Sequence, residues 1–286
     1  MGLSCLSYPL NLFGLLLLAG RLACQDSAQE ANHHVPRLAP MQNHAFLEDL
    51  STWQQHVTQG EEAPVEKRNR GVFPIGNGYA FGYLGLGRRA NTMQAITGPS
   101  YQTAETWAPK GHYGEQSLDL LEGGRVLALP EQHIWRTRGV NVVITEDASD
   151  PDSTLSLSTL SFAIPERTAI VRWVEVANRG KQARRLEVRV VWERGRAGPD
   201  GKSLVAEYPA KEFAAELAAS RPAVAAKDGL AVDLGEIAPG RSRSFVLTLR
   251  TRPSAGAFDT GVQDERRFSA LLESCKRHWR KRLSGT

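Results

Sequence analysis

The sequence predicts an all-β protein, a large antiparallel β-sandwich flanked by one C-terminal amphipathic helix. Three observations carry this. From about residue 71 the hydrophobic pattern changes to a period of two, as in Leu186, Val188, Val190 and Trp192 alternating with Arg185, Glu187, Arg189 and Glu193. Turn chemistry separates the runs, and no clear helix comes between them, so sheet must pack on sheet. The chain of 286 residues is 41% apolar and 23% charged, enough to bury one large core.

Taken in order, residues 10–20 (LNLFGLLLLAG) form an apolar run too short to span a bilayer as a mature helix. They read as the centre of a secretory signal over residues 1–24, although Arg21 follows the run and no Lys or Arg precedes it. The expected location is periplasmic, cell-envelope or extracellular. Cys24 follows Leu22 and Ala23 as in a bacterial lipoprotein processing site, with Arg21 where that site has an aliphatic residue. Lipidation of Cys24 would give the protein a lipid anchor while the domain stays in water. Cys275 is left as a lone thiol on an apolar helix face, suited to packing. No CxxC pattern or disulfide framework is present.

Residues 25–43 lack periodicity and read as a flexible spacer, with His33 and His34 solvated. The β domain is expected over residues 44–263. At its start, Phe46, Leu47, Leu50, Trp53 and Val57 fall on one helical stripe, predicting a short docked helix over residues 45–57.

Strands are expected at Ser117–Leu121, Arg125–Leu129, His133–Glu146, Ser153–Ile164, Thr168–Ala177, Leu186–Trp192, Leu230–Leu234 and Phe245–Leu249. Between them stand Glu122-Gly123-Gly124, Asp150-Pro151-Asp152, Asn178-Arg179-Gly180, Gly198-Pro199-Asp200-Gly201, Lys227-Asp228-Gly229 and Pro239-Gly240. Residues 210–219 (AKEFAAELAA) suit a strand or a short helix. From Asp264 to Leu283, Phe268, Leu271, Leu272, Cys275, Trp279 and Leu283 recur at threes and fours on a helix, read as a linker-type segment over residues 264–286 or a docked terminal helix.

The formal charge of +4 is concentrated in two places, Lys67-Arg68-Asn69-Arg70 and the last helix. Elsewhere Arg and Lys alternate with Asp and Glu as on a solvated face, so no nucleic-acid partner is expected.

The densest local signal is Gly71-Val72-Phe73-Pro74-Ile75-Gly76-Asn77-Gly78-Tyr79-Ala80-Phe81-Gly82-Tyr83-Leu84-Gly85-Leu86-Gly87. Its glycine spacing is not that of a dinucleotide loop, and no βαβ unit surrounds it. A turn followed by a tightly packed strand fits better. This run resembles the segment that opens the N-terminal β-sandwich domain of glycoside hydrolase family 65, the maltose, trehalose and kojibiose phosphorylases, and similar domains of other enzymes built on an (α/α)6 barrel. The segments Glu166–Arg172, Val174–Gly180 and Leu234–Gly240 look like further parts of that domain.

The resemblance implies a supersandwich of the galactose-mutarotase-like kind, with the catalytic carboxylates in a barrel outside this sequence. No catalytic residue is therefore assigned, and Glu105, Glu115, Asp119 and Glu122 read as solvated acids. No cofactor and no metal are expected; the expected partner is an oligosaccharide or disaccharide, with an (α/α)6-barrel catalytic domain beside it. Residues 98–113 combine Tyr101, Trp107, His112 and Tyr113 in a polar, turn-rich loop. These four are the candidate sugar-binding residues, since rings stack on the C–H faces of sugars; packing of the aromatics onto the sandwich is the alternative. Trp135, Trp173 and Trp192 lie in strands and read as packing residues. Two functions follow: a supporting, sugar-binding domain of an exported glycoside hydrolase or phosphorylase, or a stand-alone envelope carbohydrate-binding or structural lipoprotein.

Overall fold

The computed structural model describes residues 52–58, 73–85, 91–98, 111–137, 141–149, 154–208, 213–227, 229–253 and 265–284, all within the compact unit Leu38–Thr286. The signal, Cys24, the spacer with His33 and His34, and Asp150-Pro151-Asp152 lie outside them.

In chain order the strands are β1 (Thr52–Thr58), β2 (Phe73–Gly76), β3 (Phe81–Leu84), β4 (Met93–Thr97), β5 (Gln116–Glu122), β6 (Arg125–Val126), β7 (Glu131–Thr137), β8 (Val143–Ala148), β9 (Leu155–Ala163), β10 (Ala169–Asn178), β11 (Arg184–Trp192), β12 (Arg196–Ala197), β13 (Ser203–Glu207), β14 (Phe213–Ala219), β15 (Ala223–Ala226), β16 (Gly229–Ile237) and β17 (Arg241–Pro253), followed by helix α1 (Glu265–Ser284). They form two antiparallel sheets. The longer runs β1-β7-β8-β9-β10-β17-β14-β13-β12, and the other β15-β16-β11-β5-β4-β3-β2 with β6 beside β5.

The inner faces meet in one apolar core. Leu118 and Leu120 of β5, Val188 and Val190 of β11 and Val232 of β16 lie in it with Leu157, Ile170, Val174, Phe245 and Leu247 of the longer sheet. Each such side chain contributes about 1.5–3 kcal/mol by leaving water. β11 keeps the alternation read from its sequence because its other face is solvated. β9 and β10 are buried along their whole length, and α1 covers part of their outer face. There Phe268, Leu272 and Cys275 pack with Ile144, Leu160, Phe162, Trp173 and Val246. Burial pushes the Cys275 thiol up to about 12, which keeps it protonated and unreactive.

Three local expectations are corrected. Residues 52–58 form strand β1, paired with β7 from Thr52↔Thr137 to Thr58↔Glu131, where a helix is expected. Trp53 and Val57 are four apart, a spacing that suits either period, and Thr52, Val57 and Thr58 favour a strand. The run His133–Glu146 is two strands: β7 and β8 form a hairpin whose return passes through Asn141 at φ 49°. The ladder at Arg125–Leu129 stops at Val126. The ambiguous AKEFAAELAA segment resolves as β14, paired on both sides with β13 and β17.

The glycine-rich segment is the β2–β3 hairpin. Asn77 holds its turn: Oδ1 accepts from the backbone N–H groups of Tyr79 and Ala80 at 2.8 and 2.9 Å. Its Nδ2 donates to Arg167 O at 2.7 Å and to Ile164 O, tying this hairpin to the β9–β10 turn. Gly78 sits at φ 90°, where a side chain is strained.

Candidate functional site

The loop carrying the four candidate residues leaves β4 and returns into β5. Tyr101 and Trp107 lie outside the described residues, as does Glu105. The returning end is anchored at Gly111, which bridges Ile96 in parallel. With φ at 72° and a would-be Cβ 2.3 Å from the Ala95 carbonyl carbon, the position admits only glycine.

His112 and Tyr113 follow directly and are both buried. The His112 ring meets Tyr208 edge-on with centroids 4.7 Å apart, and its carbonyl accepts from Arg194 Nη1 at 2.7 Å. Tyr113 donates its N–H to Ile96 O at 3.1 Å and accepts Trp192 Nε1 on its carbonyl at 2.7 Å. Its hydroxyl has no hydrogen-bond partner among the described residues, and burial raises the phenol far above its ordinary value. The structure thus brings His112, Tyr113, Trp192, Arg194 and Tyr208 together where the chain enters β5, with neither ring of the predicted pair on the surface.

The acids near this sheet are held by partners. Arg184 meets Glu122 through Nε and Nη2, both at 2.5 Å, and that bond keeps the Glu122 carboxyl below its ordinary range. Asp119 pairs with Arg189 at 3.4 Å. The Glu115 carboxylate accepts from Gln94 Nε2.

Sequence reasoning missed two buried polar groups on β8–β10. The visible signal was a charge inside an apolar run: Glu146 and Asp147 in VITEDA, Arg172 and Glu175 in AIVRWVEVAN. Between the sheets, Arg172 Nη2 donates to Asn91 O at 2.7 Å. Asn91 Nδ2 donates to Asp147 Oδ2, and Asn91 Oδ1 accepts from Leu118 N at 2.9 Å. Burial lowers the guanidinium to about 10 and the Asp147 charge opposes that shift, so Arg172 stays charged at neutral pH.

On the opposite face, Glu146, Ser158 and Glu175 form one cross-strand row, which spaces the two acids by about 10 Å at the backbone, two strand widths. Glu146 pairs with Arg179 at 3.1 Å. Desolvation nevertheless pushes its carboxyl up to about 7. An acid near neutrality can exchange a proton, but burial raises a purely structural carboxyl in the same way, here against the lowering effect of Arg179. With only 2% of Glu146 exposed, the structural role fits. Among the described residues, no group of three or more His, Cys, Asp or Glu could hold a metal ion.

No family model matches this chain, and no curated protein sequence does. Solved structures match by shape. One described as a kojibiose phosphorylase from the human microbiome aligns at TM-score 0.51 and 5% identity, over 80% of this chain and 37% of that one. A bacterial glucoamylase solved with acarbose aligns at TM-score 0.45 and 8% identity, over 81% of this chain and 40% of that one. A galactose mutarotase related enzyme from Lactobacillus acidophilus aligns at TM-score 0.40 and 6% identity, over 66% of this chain and 100% of that one. The chain thus spans well under half the length of the first two. At 5% identity, the first of these likenesses concerns the fold alone: the antiparallel sandwich read from the sequence is also the fold of the matched part of that structure.

Proposed function

We propose that this chain is the carbohydrate-recognising and supporting β-sandwich of an exported glycoside hydrolase or phosphorylase, with the catalytic carboxylates supplied by a helical barrel. The observation that carries the reading is the shared fold, which accounts for 80% of this chain and only 37% of a sugar phosphorylase. The loop at residues 98–113 is the proposed contact: Tyr101 and Trp107 stack on the sugar, and His112 and Tyr113 set the loop's base. Export through residues 1–24 and lipidation of Cys24 belong to the same proposal. A stand-alone envelope carbohydrate-binding lipoprotein is the second reading. It is favoured by α1, whose residues Phe268, Leu272 and Cys275 are already buried against the sandwich.

Both readings require sugar binding. Calorimetric titration with a panel of α- and β-linked disaccharides should give a saturable heat for at least one, abolished in Trp107→Ala. Absence of a response to every sugar in the panel counts against both.

A further inference from the structure

The outer face of the longer sheet is buried beyond the reach of α1. The helix starts beside Val246, where Ser220 Oγ donates to Glu265 and accepts from Val246 N. It passes Trp173 and Phe162 at Phe268 and comes to Ala163 O at Cys275. Its axis therefore crosses β10 and β9 over Val171–Trp173 and Phe162, drifting toward the β9–β10 turn. The row Glu146–Ser158–Glu175 lies on the other side, about 10 Å from that axis at 3.4 Å per residue. That is the spacing at which a second packed segment lies beside a helix.

This row is not open to solvent. Glu146, Ser158 and Glu175 are at most 2% exposed, and Ala148, Ser156 and Ala177 in the next row at most 4%. Lys276 is 2% exposed too. In a right-handed helix running from β17 toward β8 across this face, Lys276 stands on the flank turned toward Glu175. Sheet floor and helix flank are thus two walls of one filled groove. Its floor is small, and the buried Ser158 hydroxyl has no hydrogen-bond partner among the described residues, which suits an apolar cover.

Few parts of the chain can supply that cover. Residues 59–72 join β1 to β2, the end strands of the two sheets. Residues 99–110 leave and re-enter the other sheet, and residues 254–264 join Pro253 to Glu265 on the far side of α1. Residues 38–51 precede β1 and belong to the compact unit, which begins at Leu38. They carry Phe46, Leu47 and Leu50.

We propose that residues 38–51 pack into this groove beside α1, turn Phe46, Leu47 and Leu50 toward the sheet, and seal the Glu146–Ser158–Glu175 row from water. The reach is sufficient. Ser158 is three strands in from β1 and four residues along from the level of Thr52, about 20 Å away. Residues 38–51 cover about 21 Å even when wound as a helix. The seal accounts for the desolvation that raises the Glu146 carboxyl. This inference stands whether or not the chain binds sugar.

The test is labelling of Ser158→Cys in the full chain by a water-soluble maleimide, with each thiol located by peptide mass spectrometry. The replacement is nearly isosteric, and Cys275, buried under α1, is the internal control. Labelling at position 158 should be slow. Adding Phe46→Glu/Leu47→Glu/Leu50→Glu should speed it at least roughly ten-fold while Cys275 stays protected. Adding Lys67→Gln/Arg68→Gln/Arg70→Gln, in the connection from β1 to β2, should leave it slow.

Fast labelling of Ser158→Cys alone overturns the proposal, because the groove is then open. An unchanged rate in the Phe46/Leu47/Leu50 variant overturns it, because another segment forms the cover. Equal acceleration by the Lys67/Arg68/Arg70 variant does so for the same reason, and a parallel rise at Cys275 would mean that α1 itself had lifted. Circular dichroism of each variant checks that the fold is retained.

Discussion

Replacing Asn77 with Ala tests whether the glycine-rich segment is a structural turn or a ligand loop. The side chain makes four hydrogen bonds: two local ones that shape the turn, from Tyr79 N and Ala80 N, and two to the backbone of the β9–β10 turn, at Ile164 O and Arg167 O. A typical hydrogen bond contributes about 0.5–1.5 kcal/mol net. The bonds with Tyr79 N and Arg167 O are exposed and fall at the low end, so the four together should stabilise by about 2–4 kcal/mol. Asn77→Asp sharpens the test, because it keeps the acceptor but sets a carboxylate against two carbonyl oxygens. At neutral pH it should be no more stable than Asn77→Ala, and it should recover as pH falls, since protonation restores one donor. Urea unfolding followed by circular dichroism should show a lower midpoint with an unchanged slope. A loss below about 1 kcal/mol in Asn77→Ala would refute the reasoning and free Asn77 for a ligand.

Three further predictions follow from the buried groups. Phe268→Ala removes a ring centred 5.5 Å from Phe162 and 5.2 Å from Trp173; it should cost about 3–5 kcal/mol and open α1 to limited proteolysis. Because the Glu146 carboxyl is raised from 4.5 to about 7, the folded state binds a proton that the unfolded state has released. Its contribution is therefore full below pH 4.5, is lost as pH rises to about 7, and spans on the order of 3 kcal/mol. Denaturation at a series of pH values should show Glu146→Gln gaining on the wild type across that window. Arg172→Met leaves Asp147 as an uncompensated interior charge and should cost about 3–5 kcal/mol; adding Asp147→Asn should recover part of it, measured as a double-mutant cycle.

Where one face of a strand is wet, the sequence shows it plainly. Leu186–Trp192 alternates because Arg185 and Glu187 face solvent, and the turns at Glu122-Gly123-Gly124 and Pro239-Gly240 fall where expected. β9 and β10 conceal their geometry, since burial on both sides erases the alternation. Partners distant in the chain were equally hidden. Arg172 reaches Asn91 across 81 residues, and nothing near Arg172 in the sequence announces it. The same holds for the loop: His112 and Tyr113 look polar and superficial locally, but Trp192 and Arg194, 79 and 82 residues on, hold their carbonyls. The helix stripe was legible, and its burial against Phe162 and Trp173 depended on which sheet face stood free.

The claim that this sandwich recognises sugar through the loop at residues 98–113 is tested most directly by hydrogen–deuterium exchange with and without a saturating disaccharide. The account predicts slowed exchange in peptides covering residues 98–114 and no change in the core strand Arg184–Trp192. Protection that maps to another face of the sandwich, or no protection with any sugar, would contradict it.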